Sequence, residues 1–399
     1  MKELSNTSFD YYILPNKIFC SVVGMWPIDE KSSTSSKIFA YFRLIVTVIS
    51  YSSIFVPQIW AIAVNWGDIQ AIAEIGITVT SIGQALYKMF YLIARREKAH
   101  ELYNEMRSLW DSSDDSNEKK SYEQIAYWAR IATITFFVSL MCNVISFTIS
   151  GIIDYLSNNR HLPFDVWYGT DISASPKFEI IFICQLLACI IGTSGVVGID
   201  CSIMTVILHV AGQFKLIKTW MNKIGTEINR ESVHLEKFEI DLFKCIRHHQ
   251  RIIHVVNDIN NLFTPILFMQ LLTSGIEICL SGYAMLGYRT AIIDVLKFIF
   301  YFISMMVEIL LFCWPSEILV QESEEVGYVI YFNVPWYKLS PIHRRHLCLM
   351  IIRAQRYCSI TALTFKTLSF QTLTSVFNTA ASYFTLLRQM HQDQISTNT

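Results

Sequence analysis

Four stretches of this chain, residues 44–64, 131–153, 180–199 and 367–387, each run for about 20 residues without one charged side chain, the length a helix needs to cross the hydrocarbon core of a bilayer. In that core no water meets an unpaired backbone N–H or C=O, so such a run must close its own hydrogen bonds as an α-helix. A fifth run, 259–276, continues past Glu277 to residue 288. Two more are interrupted: 69–94 contains Glu74 and Lys88, and 292–315 contains Asp294, Lys297 and Glu308. The economical reading is an all-α membrane protein with seven transmembrane helices in a lipid bilayer. Composition agrees, at 52% hydrophobic and 16% charged residues against about 25% charged in soluble proteins.

Several function classes fall away. A formal net charge of −1 supplies no global basic surface, so no nucleic acid partner is expected. There is no Gly-rich phosphate loop and no CxxC pair. The ten cysteines lie mostly in apolar runs, where a free Cys acts as a small hydrophobe, so neither a metal nor another cofactor is expected. The opening "MKELSNTSFDYYILPNKIFC" lacks the compact apolar core and small-residue cleavage site of a signal peptide.

Lys and Arg concentrate before span 1 and between spans 2 and 3, 4 and 5, and 6 and 7, whereas the alternate connections hold few, among them Arg160, Arg289 and Arg388. The positive-inside bias then sets the N-terminus in the cytoplasm and the C-terminus outside, the reverse of a G-protein-coupled receptor. The sequon Asn6-Thr7-Ser8 falls on the cytosolic side, where it stays unmodified.

The organisation follows. Residues 1–37 form a cytoplasmic N-terminal segment, and 38–210 hold spans 1 to 4 with an outer loop at 154–176. A cytoplasmic helical extension covers 211–261, and spans 5 and 6 cover 262–319. A cytoplasmic anchor-helix region at 320–360 precedes span 7 at 361–390 and an extracellular tail at 391–399. The outer loop carries Pro163, Phe164, Trp167 and Tyr168 and no cysteine to staple it. Span 4 runs on as a helix to about residue 214. In "LSPIHRRHLCLMIIRAQR", Ser340 is an N-cap and Pro341 a first-turn residue. That helix has a charged face of Arg344, Arg345, Arg353 and Arg356, and an apolar one of Leu347, Met350 and Ile351. These pieces make a cytoplasmic helical anchor bundle, better suited to assembly than to catalysis.

Within span 4, Gly192-Thr193-Ser194-Gly195 spells GxSG, the pattern with which rhomboid-type proteases present a serine. A nucleophilic serine needs a base within about 3 Å. Spans 5, 6 and 7 contain no histidine, and His209 is 15 residues further along the same helix, roughly 22 Å away. Gly192, Ser194, Gly195 and Gly198 are read instead as small-residue faces for close helix approach or bending, with room for a ligand beside them. No enzyme is expected.

Asp200, Glu277 and Glu308 sit within spans, and an intramembrane acid is a functional-site candidate. A proton-coupled transporter could use them, yet they lie on three helices with no matching cation identified from sequence. In span 7, Thr374, Asn378, Ala381, Thr385 and Arg388 share one helical face, small or polar rather than Leu-rich. Such a stripe suits either a water-filled pathway shared among subunits or interhelical hydrogen bonding. The outer halves of spans 2, 3, 4 and 6 supply a pocket of Ile72, Gly76, Thr80, Ser146, Phe147, Phe182, Gln185, Leu186 and Tyr301. Without a His or basic residue among them, that pocket suits a small, neutral, hydrophobic ligand.

Several segments resemble the insect odorant receptors. "GMWP" at 24–27 is similar to the family's pre-membrane segment, and "KCIRHHQRIIHVVNDINNLF" to its signature before span 5. "LFCWPSEILVQESEEVGYVIYFNVPWYKL" resembles its end of span 6, with Cys313, Glu317, Tyr331, Trp336 and Tyr337 in the expected order, and "LLRQM" closes the chain in the family's manner. Leu373 and Ala381 stand where the family often has an aromatic, and the long insertion in the second cytoplasmic loop of the shared co-receptor is absent. The resemblance implies a ligand-tuned subunit of an odorant-gated, non-selective cation channel. It would form a heterotetramer with the odorant co-receptor, bind a small hydrophobic volatile in the outer pocket and line the pore with Thr374, Asn378, Ala381 and Thr385. His249, Trp336 and Tyr337 then belong to the anchor bundle and its assembly. The location it implies is the plasma membrane of an olfactory neuron dendrite. A gustatory-type channel of the same architecture is the main alternative, and a transporter a weaker one.

Overall fold

A computed structural model describes residues 8–26, 33–112, 116–157, 161–170, 172, 174–229, 235–287, 292–362 and 366–398. Asn6 and Thr7 of the sequon, Pro27 of the GMWP segment, and the loop cations Arg160 and Arg289 lie outside the described residues.

Two short helices, α1 (Phe9–Tyr12) and α2 (Leu14–Val22), precede α3 (Thr34–Val64) and α4 (Ile69–Ala94). Then come α5 (Arg96–Trp110), α6 (Ser116–Leu156), α7 (Lys177–Asn229), α8 (Leu235–Gly287) and α9 (Ile292–Asn333). The chain ends with α10 (Pro341–Ala354), strands β1 (Thr361–Ala362) and β2 (Lys366–Thr367), and α11 (Phe370–Asn398). The seven expected spans fall on α3, α4, α6, α7, α8, α9 and α11. Among the described residues, six helices are long and apolar enough to cross a membrane, and α11 is not one of them. Its Thr, Ser, Asn and Gln residues dilute its apolar content, the cost of the polar stripe.

Exposed apolar side chains mark the lipid-facing surfaces: Ile45, Ile49, Val56 and Trp60 on α3, Ile134, Val138, Ile145 and Ile149 on α6, and Ile180, Ile183, Leu187 and Ile190 on α7. So large an apolar surface is untenable in water and ordinary in lipid. Along α7 the pattern changes beyond Gly192, where nearly every turn is buried down to Ile228. The helix leaves lipid contact and enters protein.

There the largest apolar cluster forms, joining α1, α5, α7, α8, α9, α10 and the strands through residues such as Trp110, Phe214, Trp220, Leu242, Ile330 and Leu347. α9 runs through Pro315, where the apolar run 292–315 ends, and on to Asn333. Proline removes one backbone hydrogen bond, and tight packing of Phe312, Cys313 and Ser316, all nearly without exposure, holds the helix together across it. The helix of span 4 likewise runs about four turns beyond residue 214, to Asn229. Lys218 of α7 bridges Glu322 and Glu325 of α9 at 2.6 and 2.5 Å. Ser340 does precede α10, but its hydroxyl pairs with His343 Nδ1 at 2.8 Å rather than with a backbone N–H. Span 7 starts at Phe370, after the antiparallel strand pair, and its helix continues through the expected tail to Asn398.

The small residues of α7 are contact points. The hydroxyl of Tyr51, from α3, donates to the Gly192 carbonyl at 3.0 Å, and a Cβ on Gly195 would stand 3.0 Å from the same hydroxyl oxygen. A Cβ on Gly198 would stand 2.8 Å from the backbone nitrogen of Cys20 in α2. Ser194 spends its hydroxyl on the Ile190 carbonyl of its own helix, at 3.0 Å. Gly192 and Gly195 of the GxSG motif let α3 approach, and Gly198 lets α2 approach.

Candidate functional site

α3, α4, α6, α7, α8 and α9 surround a cavity of about 150 Å³. Its apolar wall includes Ile54, Ile82, Leu140, Val144, Val196 and Met305. Of the nine residues expected to form a pocket, Phe147 and Tyr301 line it, while Ile72, Gly76, Thr80, Ser146, Phe182, Gln185 and Leu186 do not. The cavity lies about one to two helical turns deeper than that set, at 78–88 on α4 and 188–196 on α7.

The reason is the loop after α6, which folds into the mouth of the bundle. Gln185, buried on α7, grips Phe164 by both backbone groups: its Nε2 donates to the Phe164 carbonyl at 3.0 Å and its Oε1 accepts from the Phe164 N–H at 3.2 Å. Phe164 stacks on Phe147, with centroids 5.4 Å apart, and so forms one wall of the cavity. Pro57 in α3 helps seat the same loop. A proline N cannot bond the carbonyl four residues back, and the hydroxyl of Tyr168 donates to that Ser53 carbonyl at 3.3 Å. The Trp167 N–H donates to the Pro57 carbonyl at 3.3 Å, and the rings of Trp167 and Trp60 lie 6.4 Å apart. Phe182 packs against Gly151 and Phe178 at this outer level.

The other end of the cavity is polar, and the sequence alone did not assemble it. Lys88 of α4 bonds both carboxylate oxygens of Asp200 on α7, at 2.7 and 2.9 Å, and reaches Glu308 on α9 at 3.4 Å. Asp200 and Glu308 therefore do have a cation, on a third helix. Gln84 joins in: its Nε2 bonds Gln270 and, at 3.3 Å, Glu308, and its Oε1 accepts from Thr273 at 2.6 Å. Glu277 of α8 receives the Ser81 hydroxyl at 2.9 Å, and Ser81 and Tyr301 share a 2.5 Å contact. A buried ion pair is tolerated only with such added hydrogen bonds. The signal for this network was the coincidence of Lys88 with Asp200, Glu277 and Glu308 in or beside runs that hold few other charges.

On α11, Thr374, Asn378, Ala381 and Thr385 are all exposed in the single chain, and Arg388 with them. Gln371, Thr374, Ser375, Asn378, Thr379 and Ser382 line one open groove. The opposite face, with Ala380 buried and Leu373, Val376, Phe384 and Leu387 beside it, packs into the same cluster as Tyr301, Met305 and Phe298. The expected assembly residues separate. His249 is buried inside the chain, its ring 5.9 Å from Phe214, whereas Trp336 and Tyr337 are exposed beside Tyr331 and Phe332. Among the described residues, no group of His, Cys, Asp and Glu could hold a metal ion.

Helices long and apolar enough to span a membrane, packed around an internal cavity, define a multi-pass membrane protein. Residues 69–381 match the family described as 7tm Odorant receptor. The chain belongs to that family. It is 25% identical over 338 residues to Odorant receptor 10 of Aedes albopictus, covering 82% of this chain and 86% of that protein. It is 24% identical to Odorant receptor 13a of Drosophila melanogaster, covering 97% of this chain and 98% of that one. The fold matches the solved structure of the insect olfactory receptor OR5 from Machilis hrabei in complex with eugenol. The TM-score is 0.82 at 16% identity, over 95% of this chain and 98% of that one. The relatives are receptors, not enzymes, in keeping with a Ser194 that only packs.

Proposed function

We propose that this chain is the ligand-tuned subunit of an odorant-gated cation channel in the plasma membrane of a sensory neuron. It assembles with the odorant co-receptor as a heterotetramer, with its N-terminus in the cytoplasm. A small hydrophobic volatile occupies the cavity behind Phe164, and the face of α11 with Thr374, Asn378, Ala381 and Thr385 lines the pore.

The observation that carries this reading is the division of α11 into an exposed polar face and a packed apolar one. The hydroxyl hydrogens on the polar side are spent on the helix itself: Thr374 on the Phe370 carbonyl at 3.0 Å, Thr379 on Ser375 at 2.8 Å, Ser382 on Asn378 at 2.8 Å. Their oxygens then turn only lone pairs outward, which suits water and cations. The packed side rests on the two helices that wall the cavity. A Cβ on Gly282 of α8 would lie 3.3 Å from Phe384, and Phe302 of α9 faces Phe377 with centroids 6.5 Å apart. A ligand that pushes on Glu277 or Tyr301 thereby acts on the seat of α11. It opens the pore only in so far as it binds the open state better than the closed one. Trp336, Tyr337 and their exposed aromatic neighbours form the patch that other subunits cover.

The test is whole-cell current from cells expressing the chain with and without the co-receptor, across a panel of neutral volatiles. A fast cation current that needs both chains and a volatile supports the reading. Current without the co-receptor favours a gustatory-type homomer. Surface-expressed chain that stays silent beside a co-receptor active with another subunit refutes it. Tag accessibility at the two termini on intact cells checks the topology.

A further inference from the structure

Two acceptor oxygens on the cavity wall lack a hydrogen-bond donor among the described residues. Glu277 lines it and is only 1% exposed, yet while one carboxyl oxygen receives Ser81, the other, Oε2, has no partner among the described residues. On a different wall, from α6, Asn143 also lines the cavity, is buried, and has an unpartnered side-chain oxygen. The neighbouring groups cannot fill the deficit. The ammonium of Lys88 is committed to Asp200 and Glu308, and the amide of Gln84 to Gln270 and Glu308. Ser81 is shared between the Ile77 carbonyl and Glu277, and meets Tyr301 through its oxygen. Two buried oxygens without donors are unfavourable in a site otherwise so thoroughly paired. A molecule that brings an O–H relieves that deficit.

We propose that the cavity selects volatiles bearing a hydroxyl, alcohols or phenols, on a small apolar body, with the O–H donated to Glu277 Oε2 or to the Asn143 oxygen. This deepens the odorant-receptor reading above and rests on it. The size follows from the volume, since a cavity of about 150 Å³ holds a benzene-sized molecule. The hydroxyl follows from the chemistry of the walls. An alcohol can donate to a carboxylate or amide oxygen, whereas an ether only accepts and a hydrocarbon does neither. A site built to bond an O–H discriminates strongly against the analogue that lacks it, because its own polar atoms are then left unpaired.

The experiment is a set of dose–response curves for whole-cell current, with the co-receptor present, on two bodies each carried as alcohol, methyl ether and hydrocarbon. The probes are phenol, anisole and toluene, and hexan-1-ol, 1-methoxyhexane and heptane, with benzylamine as a cationic control. The expected result is that at least one alcohol gates at roughly tenfold lower concentration than its ether and hydrocarbon. Glu277→Leu should abolish that preference, read as the ratio of alcohol to hydrocarbon potency, and Glu277→Gln, which keeps an acceptor oxygen, should retain part of it. Should Glu277→Leu fail to reach the surface, Glu277→Gln and Asn143→Leu provide the comparison, each expected to shrink the preference. Equal potency within both series, a parallel shift of all ligands by the variants, alcohols that fail while other volatiles gate, or preference for benzylamine would each overturn the hydroxyl subsite. All four leave odorant gating intact. Silence toward every volatile, with surface expression and a working co-receptor, overturns the receptor reading itself and this inference with it.

Discussion

Replacing Lys88 by methionine keeps the length of the side chain and removes its charge, and the consequence can be worked from the contacts. The ammonium is 1% exposed, holds both oxygens of an Asp200 with no exposure, and touches Glu308. Without it, Asp200 loses its ion-pair partner among the described contacts, while Glu308 keeps only the amide of Gln84 at 3.3 Å. Breaking a buried pair from one side costs about 3–5 kcal/mol, whereas removing both charges together is often neutral. Lys88→Met should therefore lower the apparent melting temperature of the detergent-solubilised chain by roughly 5 °C or more. The double variant Lys88→Met, Asp200→Asn should recover part of that loss, Glu308 still being without the ammonium, giving a coupling of at least about 1 kcal/mol. Fluorescence-detected size exclusion after heating, on wild type, both single variants and the double, completes the cycle. If the two single effects simply add within about 0.5 kcal/mol, the pairing described here does not stabilise the bundle, and the polar floor of the cavity needs another explanation.

Other expected outcomes test the loop, the anchor bundle and pH. Gln185→Leu deletes two hydrogen bonds to the Phe164 backbone, each worth about 1 kcal/mol. Half-maximal concentrations for all ligands should rise roughly tenfold, and an unchanged dose–response would show that the loop does not retain ligand. Gly225→Ala should prevent a monodisperse, surface-expressed protein, because the new Cβ would collide with the Asn333 carbonyl, a backbone atom that cannot swing aside. Normal expression of that variant would mean that α7 and α9 are not so closely apposed. Burial, then the charges of Arg251 and Lys244, pushes His248 down to about 3, and burial with Arg353 pushes His249 down to about 4. Both stay neutral when folded, while the unfolded chain takes up protons below about 6.5, so stability is full above that pH and falls as pH drops toward 4. At pH 5 the loss is about 2 kcal/mol for each, and His248→Gln with His249→Gln should flatten the melting profile between pH 7.5 and 5. A profile as steep as wild type would assign the acid sensitivity elsewhere.

What the sequence determined by itself was the part governed by local periodicity and solvent. Runs of uncharged residues must be helices in lipid, and α11 could be read as two-faced because spacing along one helix needs no partner to interpret. The absence of a base for Ser194 was legible for the same reason, since a histidine 15 residues along a helix cannot reach back. What only the tertiary structure decided was every relation between helices. Lys88 could not be matched to Asp200 and Glu308 until α4, α7 and α9 were set side by side, because depth and rotation of a helix in a bundle follow from packing that no single run encodes. The cavity lies deeper than the outer halves of the spans for a similar reason. A loop of irregular sequence found Gln185, Ser53 and Pro57 as hydrogen-bond partners and filled the outer mouth, and those partners are more than twenty or a hundred residues distant in the chain. His249 looked the same in sequence whether it faced a partner subunit or Phe214. Burial, a property of the whole fold, put it inside.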